Sequence, residues 1–402
     1  MNFSMLKNKQ ILLYFIYICF SKMILDSQFQ MVIVHEEKGI GNFHIGILET
    51  ILLAVTFILE IPSGFLSDVF GYRNILMISK GFMLIYSIVM FVSKDYLQVA
   101  FAFACYGISE ALSSGTEETF IYKLVDNEET VLMKTNSLIS NVGTIFGMLA
   151  TLLGGFIAEI KWEYIYIIGI LLQSTSILFL LLMKDDKIQR NNINVKSHFK
   201  DFKNILIGAK ELYARKEYVL LSLSTCLCDS IYSVILIFYP LILRKYNYGY
   251  LRISGLSVIA VLLGFVFVFL LGWFKDIKNI SFKTTLLSRV LLGLVTSIAA
   301  FANNPTFAFI TVLVVNSLVN VYFPSALTLI NASISAEIRA TANSATNALQ
   351  SLCMLAIIPL YTYLIETENF GIYVFALPAV FYIVSSCLLL PIVRQKDRKI
   401  MN

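Results

Sequence analysis

Twelve apolar runs of about 20 residues each are the feature that most restricts how this 402-residue chain can fold. A run of that length can cross a bilayer as an α-helix, because a helix bonds every backbone amide within its own segment. With 58% hydrophobic and only 14% charged residues, the chain carries more apolar surface than a soluble core can hide. The sequence therefore predicts an all-α membrane protein with twelve transmembrane helices. The runs occupy residues 10–34, 45–67, 74–93, 97–120, 136–159, 164–183, 217–243, 252–274, 283–303, 305–330, 341–365 and 371–393.

A polar stretch in the middle of the chain divides these runs into two sets of six. We expect an N-terminal six-helix bundle at 1–183, a cytoplasmic linker at 184–216 and a C-terminal six-helix bundle at 217–402. Within the linker, residues 197–215 carry apolar side chains at helical spacing, with basic residues among them. This pattern favours an amphipathic helix on the membrane surface, and a solvated linker is the alternative.

The distribution of Lys and Arg predicts how the chain is oriented. With the N-terminus inside, the inner segments hold 24 of the 31 basic residues, including Lys80 and Arg289, and the outer segments hold six. Lys22 lies within the first run. Because basic residues collect on the cytoplasmic side, we expect both termini in the cytoplasm of a multi-pass plasma-membrane protein.

Several classes of function find no support in the sequence. Cys226 and Cys228 point to different helix faces, and all six cysteines fall in apolar runs, so we interpret them as core residues. His35, His44 and His198 are far apart, and no serine nucleophile motif or phosphate-binding glycine loop is present. We therefore expect no metal or cofactor, and a membrane-embedded enzyme is only a remote alternative. The net charge of +5 is too dispersed to indicate nucleic acid.

One short motif occurs twice, with a constant offset of 208 residues. Such a repeat predicts two halves that arose by parallel duplication, an architecture common in secondary transporters. Asn can replace Gly where the backbone must be left-handed. The repeated positions are Gly64, Asp68 and Gly71 after the second run, and Gly272, Asp276 and Asn279 after the eighth.

The first copy of this motif resembles the G-x-L-x-D-x-x-G-x-[RK] motif of the Major Facilitator Superfamily. Gly64, Leu66, Asp68, Gly71 and Arg73 match it, and Val69 stands where a basic residue is usual. We expect close helix packing at Gly64, and Asp68 can accept bonds from Arg73 or a helix N-terminus. The resemblance implies twelve helices in two halves and a conformational latch formed by Gly64, Asp68, Gly71, Arg73 and Asp276.

A glycine pattern in the fifth run bears on the subtype within that family. Gly143, Gly147 and Gly154 fall on one helix face, similar to a pattern of drug–proton antiporters. Met148 occupies the position where that pattern has proline. The resemblance to this subtype is therefore partial.

Ionisable side chains at membrane depth are costly, so each requires an explanation. We expect the charge buried in the membrane to be one-sided, with six acids, Asp26, Glu60, Glu110, Glu117, Glu118 and Asp229, against Lys22. In the resembled family, spans 1, 4, 7 and 10 line the central cavity. On that basis the candidates for substrate binding or proton coupling are Asp26, Glu110, Glu117, Asp229, Asn316 and Asn320.

Structural explanations compete with these assignments. Lys22 and Asp26 are four residues apart and can pair on one helix face. Glu117 and Glu118 can reach the inner interface and bond Lys123 or loop residues, and Glu60 can belong to the latch. Asp229 and Glu110 are the hardest to explain structurally, because neither has a basic neighbour one helical turn away.

The excess of buried acid favours proton-coupled export of small amphiphilic or cationic compounds by alternating access. A buried carboxylate can be neutralised either by a proton or by a cationic substrate, so exclusive binding would couple the two. The alternative is proton-coupled uptake of a small metabolite; no convergent Lys or Arg cluster points to an anionic one. The expected partners are a small-molecule substrate, protons and lipid, and we expect a monomer.

Overall fold

The computed structural model describes residues 8–124, 129–184, 215–272, 277–302, 304–332, 334, 339–366 and 370–401. Within them the chain forms thirteen α-helices and no strand, so the prediction of an all-α chain is confirmed for this part. The predicted linker helix lies outside the described residues except for Arg215. The helices are α1 (Lys9–Ser21), α2 (Gln30–Glu36), α3 (Asn42–Phe70), α4 (Tyr72–Val92), α5 (Tyr96–Leu124), α6 (Glu129–Ile160), α7 (Glu163–Leu182), α8 (Lys216–Lys245), α9 (Tyr250–Gly272), α10 (Ile277–Ala302), α11 (Pro305–Ala332), α12 (Arg339–Glu366) and α13 (Phe370–Met401).

Eight of these helices contain a stretch long and apolar enough to cross a membrane, against twelve spans predicted. Shorter apolar stretches lie at Lys9–Ser21, Tyr250–Val266 and Thr306–Val319. Large apolar side chains remain exposed along the helices, with Phe269 66% and Phe301 89% accessible. Such a surface suits lipid rather than water.

The first predicted span is not one continuous helix, so its prediction as an unbroken run at 10–34 is wrong. Helix α1 ends at Ser21 and α2 begins at Gln30, with turns between them. The Asp26 carbonyl accepts hydrogen bonds from the N–H groups of Phe29 and Gln30, at 2.8 and 2.7 Å, and starts the second helix. Irregular backbone at membrane depth is tolerated where protein covers it, and Asp26 and Phe29 are both buried.

The chain divides into two compact units. Unit 1 comprises Met1–Ile40, Ile47–Val195 and Gly249–Ser254, and unit 2 comprises Gly41–Gly46, Lys196–Tyr248 and Gly255–Asn402. In unit 1, α4 packs against α5 and α7, and α1 packs against α7. In unit 2, α8 packs against α11, α12 and α13, and α10 packs against α11 and α13.

Each unit has its own apolar core. A cluster in unit 1 joins α1, α4, α5 and α7 through residues that include Tyr14, Leu76, Phe120 and Leu180. A cluster in unit 2 joins α8, α11, α12 and α13 through Tyr218, Leu329, Ala342 and Leu389. These contacts fix the helices that carry the polar side chains described next.

Candidate functional site

Glu117 of α5 is the centre of an ion cluster in unit 1. Its carboxylate accepts bonds from Lys22 Nζ at 2.7 Å and from the Tyr17 hydroxyl at 2.9 Å. Lys80 Nζ of α4 lies 3.9 Å away. The side chains of Glu117 and Lys80 are only 13% and 6% exposed, whereas Lys22 is 42% exposed. The cluster therefore links α1, α4 and α5 through charges, two of which are buried.

Two of the structural explanations from the sequence are wrong at this cluster. Lys22 pairs with Glu117, because α1 ends at Ser21 and the helical spacing that would bring Lys22 to Asp26 does not exist. Lys123 Nζ lies over the Tyr72 ring, 4.1 Å from its centroid, while Glu117 is engaged by the two other lysines. The side chain of Glu118 lies outside the described part.

Asp26 lies among tyrosine rings. It is buried between the two halves of the broken first span, and the Tyr86 hydroxyl of α4 donates a hydrogen bond to it. The Tyr86 ring packs 5.0 Å from that of Tyr106 and 6.3 Å from that of Tyr166, centroid to centroid. Asp26 thus has hydroxyl and aromatic surroundings, and among the described residues it forms no ion pair.

Glu49 of α3 is a buried carboxylate that the sequence interpretation missed. The Tyr106 hydroxyl lies within electrostatic range of three carboxylates, those of Glu110, Asp26 and Glu49. Like Asp26, Glu49 makes no ion pair within the described residues. The position of Glu49 inside the predicted span 45–67 was the sequence feature that could have identified it as a buried acid. Glu60, which the sequence did single out on this helix, is exposed.

Unit 2 contains a second buried carboxylate site, at Asp229 of α8. The Tyr322 hydroxyl of α11 donates to Asp229, and the guanidinium of Arg289 lies over the Tyr322 ring, 5.6 Å from its centroid. Arg289 donates to Ser224 at 2.7 Å and to Thr225 at 3.1 Å, and it is fully buried. Tyr322 therefore contacts both the carboxylate and the guanidinium.

The position of Arg289 and Lys80 corrects the expected charge balance. Both were counted among the basic residues of the inner segments, but Arg289 lies twelve residues into α10 and Lys80 eight residues into α4, about 18 and 12 Å from the helix starts. Both side chains are buried. The expectation of six acids against a single base is therefore wrong. Within the predicted spans, the described residues include five buried or partly buried acids, Asp26, Glu49, Glu110, Glu117 and Asp229, together with the buried bases Lys80 and Arg289 and the half-exposed Lys22.

Glu110 also has basic neighbours that its own helix does not provide. Lys22 and Lys80 are both within electrostatic range of its carboxylate. They come from the segment after α1 and from α4, so a search one helical turn away in the sequence could not find them.

Asn316 is buried and held by neighbours in unit 2. Its Oδ1 accepts a bond from the Tyr232 hydroxyl at 3.3 Å, and its Nδ2 donates to the Val312 carbonyl at 3.1 Å. Tyr232 lies within electrostatic range of Asp229, so Asn316 borders the same polar region. The side chain of Asn320 lies outside the described part.

Only the first copy of the repeated motif lies wholly within the residues that the structure describes. Gly71 has φ +88°, a conformation that favours glycine, and it separates α3 from α4. The Tyr72 hydroxyl donates to Asp68, and Arg73 donates to the Met183 carbonyl at 2.8 Å. The expected close packing at Gly64 is wrong, because a Cβ there would meet nothing within 4 Å. Asp276 lies outside the described residues.

No group of three or more His, Cys, Asp or Glu side chains in the described ranges is placed to hold a metal ion. All six cysteines are free thiols. The charged groups of the two polar sites are carboxylates, Lys22, Lys80 and Arg289, and tyrosine hydroxyls donate to Glu117, Asp26 and Asp229.

Comparison with known proteins agrees with this fold. Residues 11–358 match the model of the Major Facilitator Superfamily. A search of curated protein sequences finds no significant match. The structure is similar to that of the nucleoside transporter NupG, with a TM-score of 0.76 and 14% identity over 97% of this chain and 99% of that chain.

Two further solved structures show the same likeness. A D-xylose-proton symporter matches with a TM-score of 0.71 and 13% identity over 96% of this chain and 98% of the other. A structure described as giving insights into substrate recognition in proton dependent oligopeptide transporters matches with a TM-score of 0.69 and 11% identity over 97% and 99%. At these identities the likeness concerns the fold. The chain is a multi-pass membrane transporter, not an enzyme, and it belongs to the Major Facilitator Superfamily.

Proposed function

We propose that this transporter exports small cationic or amphiphilic compounds in exchange for protons, by alternating access. The observation that carries the proposal is the pair of buried carboxylates, Asp26 and Glu49, which form no ion pair in the described part of the chain. A desolvated carboxylate is neutralised by a proton or by an organic cation, and not by both at once. The tyrosine rings beside Asp26 add favourable surfaces for a cation.

The Asp229 site supports proton coupling in unit 2. Tyr322 donates to Asp229, and its ring lies beneath the guanidinium of Arg289, so one side chain contacts both charged groups. Protonation of Asp229 would remove the negative charge that faces Arg289 and would change the partners of both groups. We propose that this exchange of partners accompanies the change of conformation.

The proposed topology has twelve spans with both termini in the cytoplasm, in a monomer in the plasma membrane. With Lys80 and Arg289 removed from the loop count, 22 basic residues remain on the inner side against six on the outer side. That bias still favours cytoplasmic termini. The domains proposed for this topology are 1–183 and 217–402, joined by the linker 184–216.

Proteoliposomes with an imposed pH gradient test the proposal. Vesicles with an acidic interior should accumulate ethidium as protons leave, and this cation is permanently charged, so acid trapping alone cannot concentrate it. Asp26→Asn and Glu49→Gln should abolish the gradient-driven accumulation, whereas Glu37→Gln, at an exposed loop position, should retain it. Accumulation that is independent of the gradient, or unchanged in both buried variants, would contradict the proposal.

Symport of an uncharged polar solute is a second candidate, favoured by the Arg289 guanidinium that balances Asp229. The names of the structural neighbours include a nucleoside transporter and a xylose-proton symporter. Under this alternative, vesicles with an acidic exterior should take up radiolabelled uridine or D-xylose, and ethidium should not move. Asp229→Asn should stop transport under either candidate, so only the probe and the gradient direction separate them.

A further inference from the structure

Arg289 of α10 is a buried positive charge that forms no ion pair with any described residue. Its side chain is fully buried, and it donates to the neutral hydroxyls of Ser224 and Thr225 at 2.7 and 3.1 Å. The Asp229 carboxylate accepts a bond from Tyr322, and the guanidinium lies over that ring and not against the carboxylate. Buried charges are costly unless a countercharge meets them directly, so this guanidinium requires one.

Two buried hydrogen-bond donors of unit 2 have no partner among the described residues. They are Arg289 Nε and the Tyr382 hydroxyl of α13, and both side chains are 0% exposed. Helices α10 and α13 pack closely here, since a Cβ built on Gly293, one helical turn after Arg289, would lie 3.6 Å from Tyr382 Cβ. Arg289 and Tyr382 also both lie within electrostatic range of Cys228 and Asp229. Because a buried donor without an acceptor is destabilising, the two donors point to a ligand that accepts hydrogen bonds.

The internal repeat shows what neutralises the corresponding charge in unit 1. Lys80 of α4 precedes Arg289 by 209 residues, close to the offset of 208 in the repeated motif. It pairs with the Glu117 carboxylate of α5 at 3.9 Å. At an offset of 208 residues, Glu117 corresponds to Ser325 of α11, which carries no charge. The chain therefore supplies an anion to the buried base of unit 1 and a neutral side chain at the equivalent position of unit 2.

One group near Arg289 can compete with an added anion. The titratable side chains that the described residues place in this region come from α8, α11 and α13: Cys226, Cys228, Asp229, Tyr232, Tyr322 and Tyr382. Of these, only Asp229 is an acid that ionises below neutral pH in water. An ionised Asp229 repels a second anion, and a protonated Asp229 leaves the guanidinium with no other negative group among the described residues. Proton binding and anion binding at this place should therefore favour each other.

We infer that unit 2 contains a binding site for a small inorganic anion such as chloride, held by Arg289 Nε and the Tyr382 hydroxyl. The anion takes the electrostatic role that the Glu117 carboxylate has in unit 1. Because both donors are fully buried, a monatomic ion suits the site better than an organic acid. All side chains of the site belong to unit 2. Anion binding there is separate from the identity of the substrate and from the direction of transport.

Thermal unfolding of the purified full-length protein in dodecyl maltoside tests for this site. The unfolding midpoint, followed by intrinsic fluorescence, is measured near neutral pH while sodium chloride replaces sodium gluconate at constant ionic strength. A ligand that binds only the folded state raises the midpoint with its concentration, and this dependence yields an apparent Kd. Chloride should raise the wild-type midpoint, and Arg289→Gln should abolish the rise. Arg252→Gln, at an exposed position, is the control and should retain it.

Two milder variants keep the test decisive if Arg289→Gln does not fold. Tyr382→Phe removes only the hydroxyl and should weaken the apparent chloride affinity about tenfold. Asp229→Asn removes the competing negative charge and should strengthen that affinity about tenfold. A packing defect alone lowers the midpoint equally in chloride and in gluconate, so it would leave the apparent affinity unchanged.

Either of two results would overturn the anion site. If chloride changes the midpoint of neither the wild type nor Asp229→Asn, the two donors hold water and no anion. If the rise is the same in the wild type, Tyr382→Phe and Arg289→Gln, chloride acts elsewhere on the protein. No substrate or pH gradient is present in this assay, so neither result counts against the proton-coupled exchange proposed above.

Discussion

Replacing Glu117 with leucine should cost the protein about 3–5 kcal/mol of unfolding free energy, because it removes the ion-pair partner of the buried Lys80. The shorter ion pair, to Lys22 at 2.7 Å, contributes less, since that lysine is 42% exposed and its lost pair is worth about 0–1 kcal/mol. The longer contact, 3.9 Å to Lys80, therefore dominates the loss. Burial and not distance decides the effect.

A double-mutant cycle measures this difference directly. Unfolding free energies in mixed micelles of dodecyl maltoside and SDS, followed by circular dichroism, should rank Glu117→Leu as the most destabilising single change, then Lys80→Met, then Lys22→Met. Adding Lys80→Met to Glu117→Leu should recover most of the loss, because no unpaired buried charge then remains. A Glu117→Leu loss below about 1 kcal/mol, or no recovery in the double variant, would refute the reasoning.

Three other changes have expected outcomes in the same unfolding assay. Gly107→Val should destabilise by about 1–3 kcal/mol, because its Cβ would lie 2.6 Å from the Leu52 carbonyl oxygen, while Gly81→Val, in open space, should be nearly neutral; equal effects would contradict the packing argument. Lys38→Met should cost about 1–3 kcal/mol, since Lys38 donates at 2.8 and 3.0 Å to two carbonyls near the end of α4. Burial lowers the pKa of Lys38 in the folded protein, so the unfolded chain binds more protons at alkaline pH. The unfolding free energy of the wild type relative to that of Lys38→Met should therefore increase from about pH 8 to 10, and a decrease would contradict this sign. Arg289→Lys should not restore what Arg289→Met loses, because one ammonium cannot reproduce the paired bonds to two hydroxyls, and full rescue would argue against that geometry.

The sequence by itself determined the helical membrane fold. In lipid a backbone must satisfy its own hydrogen bonds, so long apolar runs can only be helices, and no knowledge of packing is needed. The turn between α3 and α4 was also readable, because the positive φ of Gly71 is a local requirement. Asp26 and Asp229 could be found in the same way, as acids surrounded by apolar sequence.

Only the tertiary structure decided which charges meet. Lys22 has Asp26 four residues away, yet its partner is Glu117, 95 residues distant, because the helix ends before the local pair can form. Arg289 was counted with the inner segments, because its true depth in α10 depends on where that helix begins and what packs around it. Glu366 accepts a hydrogen bond from the N–H of Phe43 at 3.0 Å, although the two residues are 323 positions apart. Partners at such separations are set by how helices pack, and the spacing of residues along one helix carries no information about its neighbours.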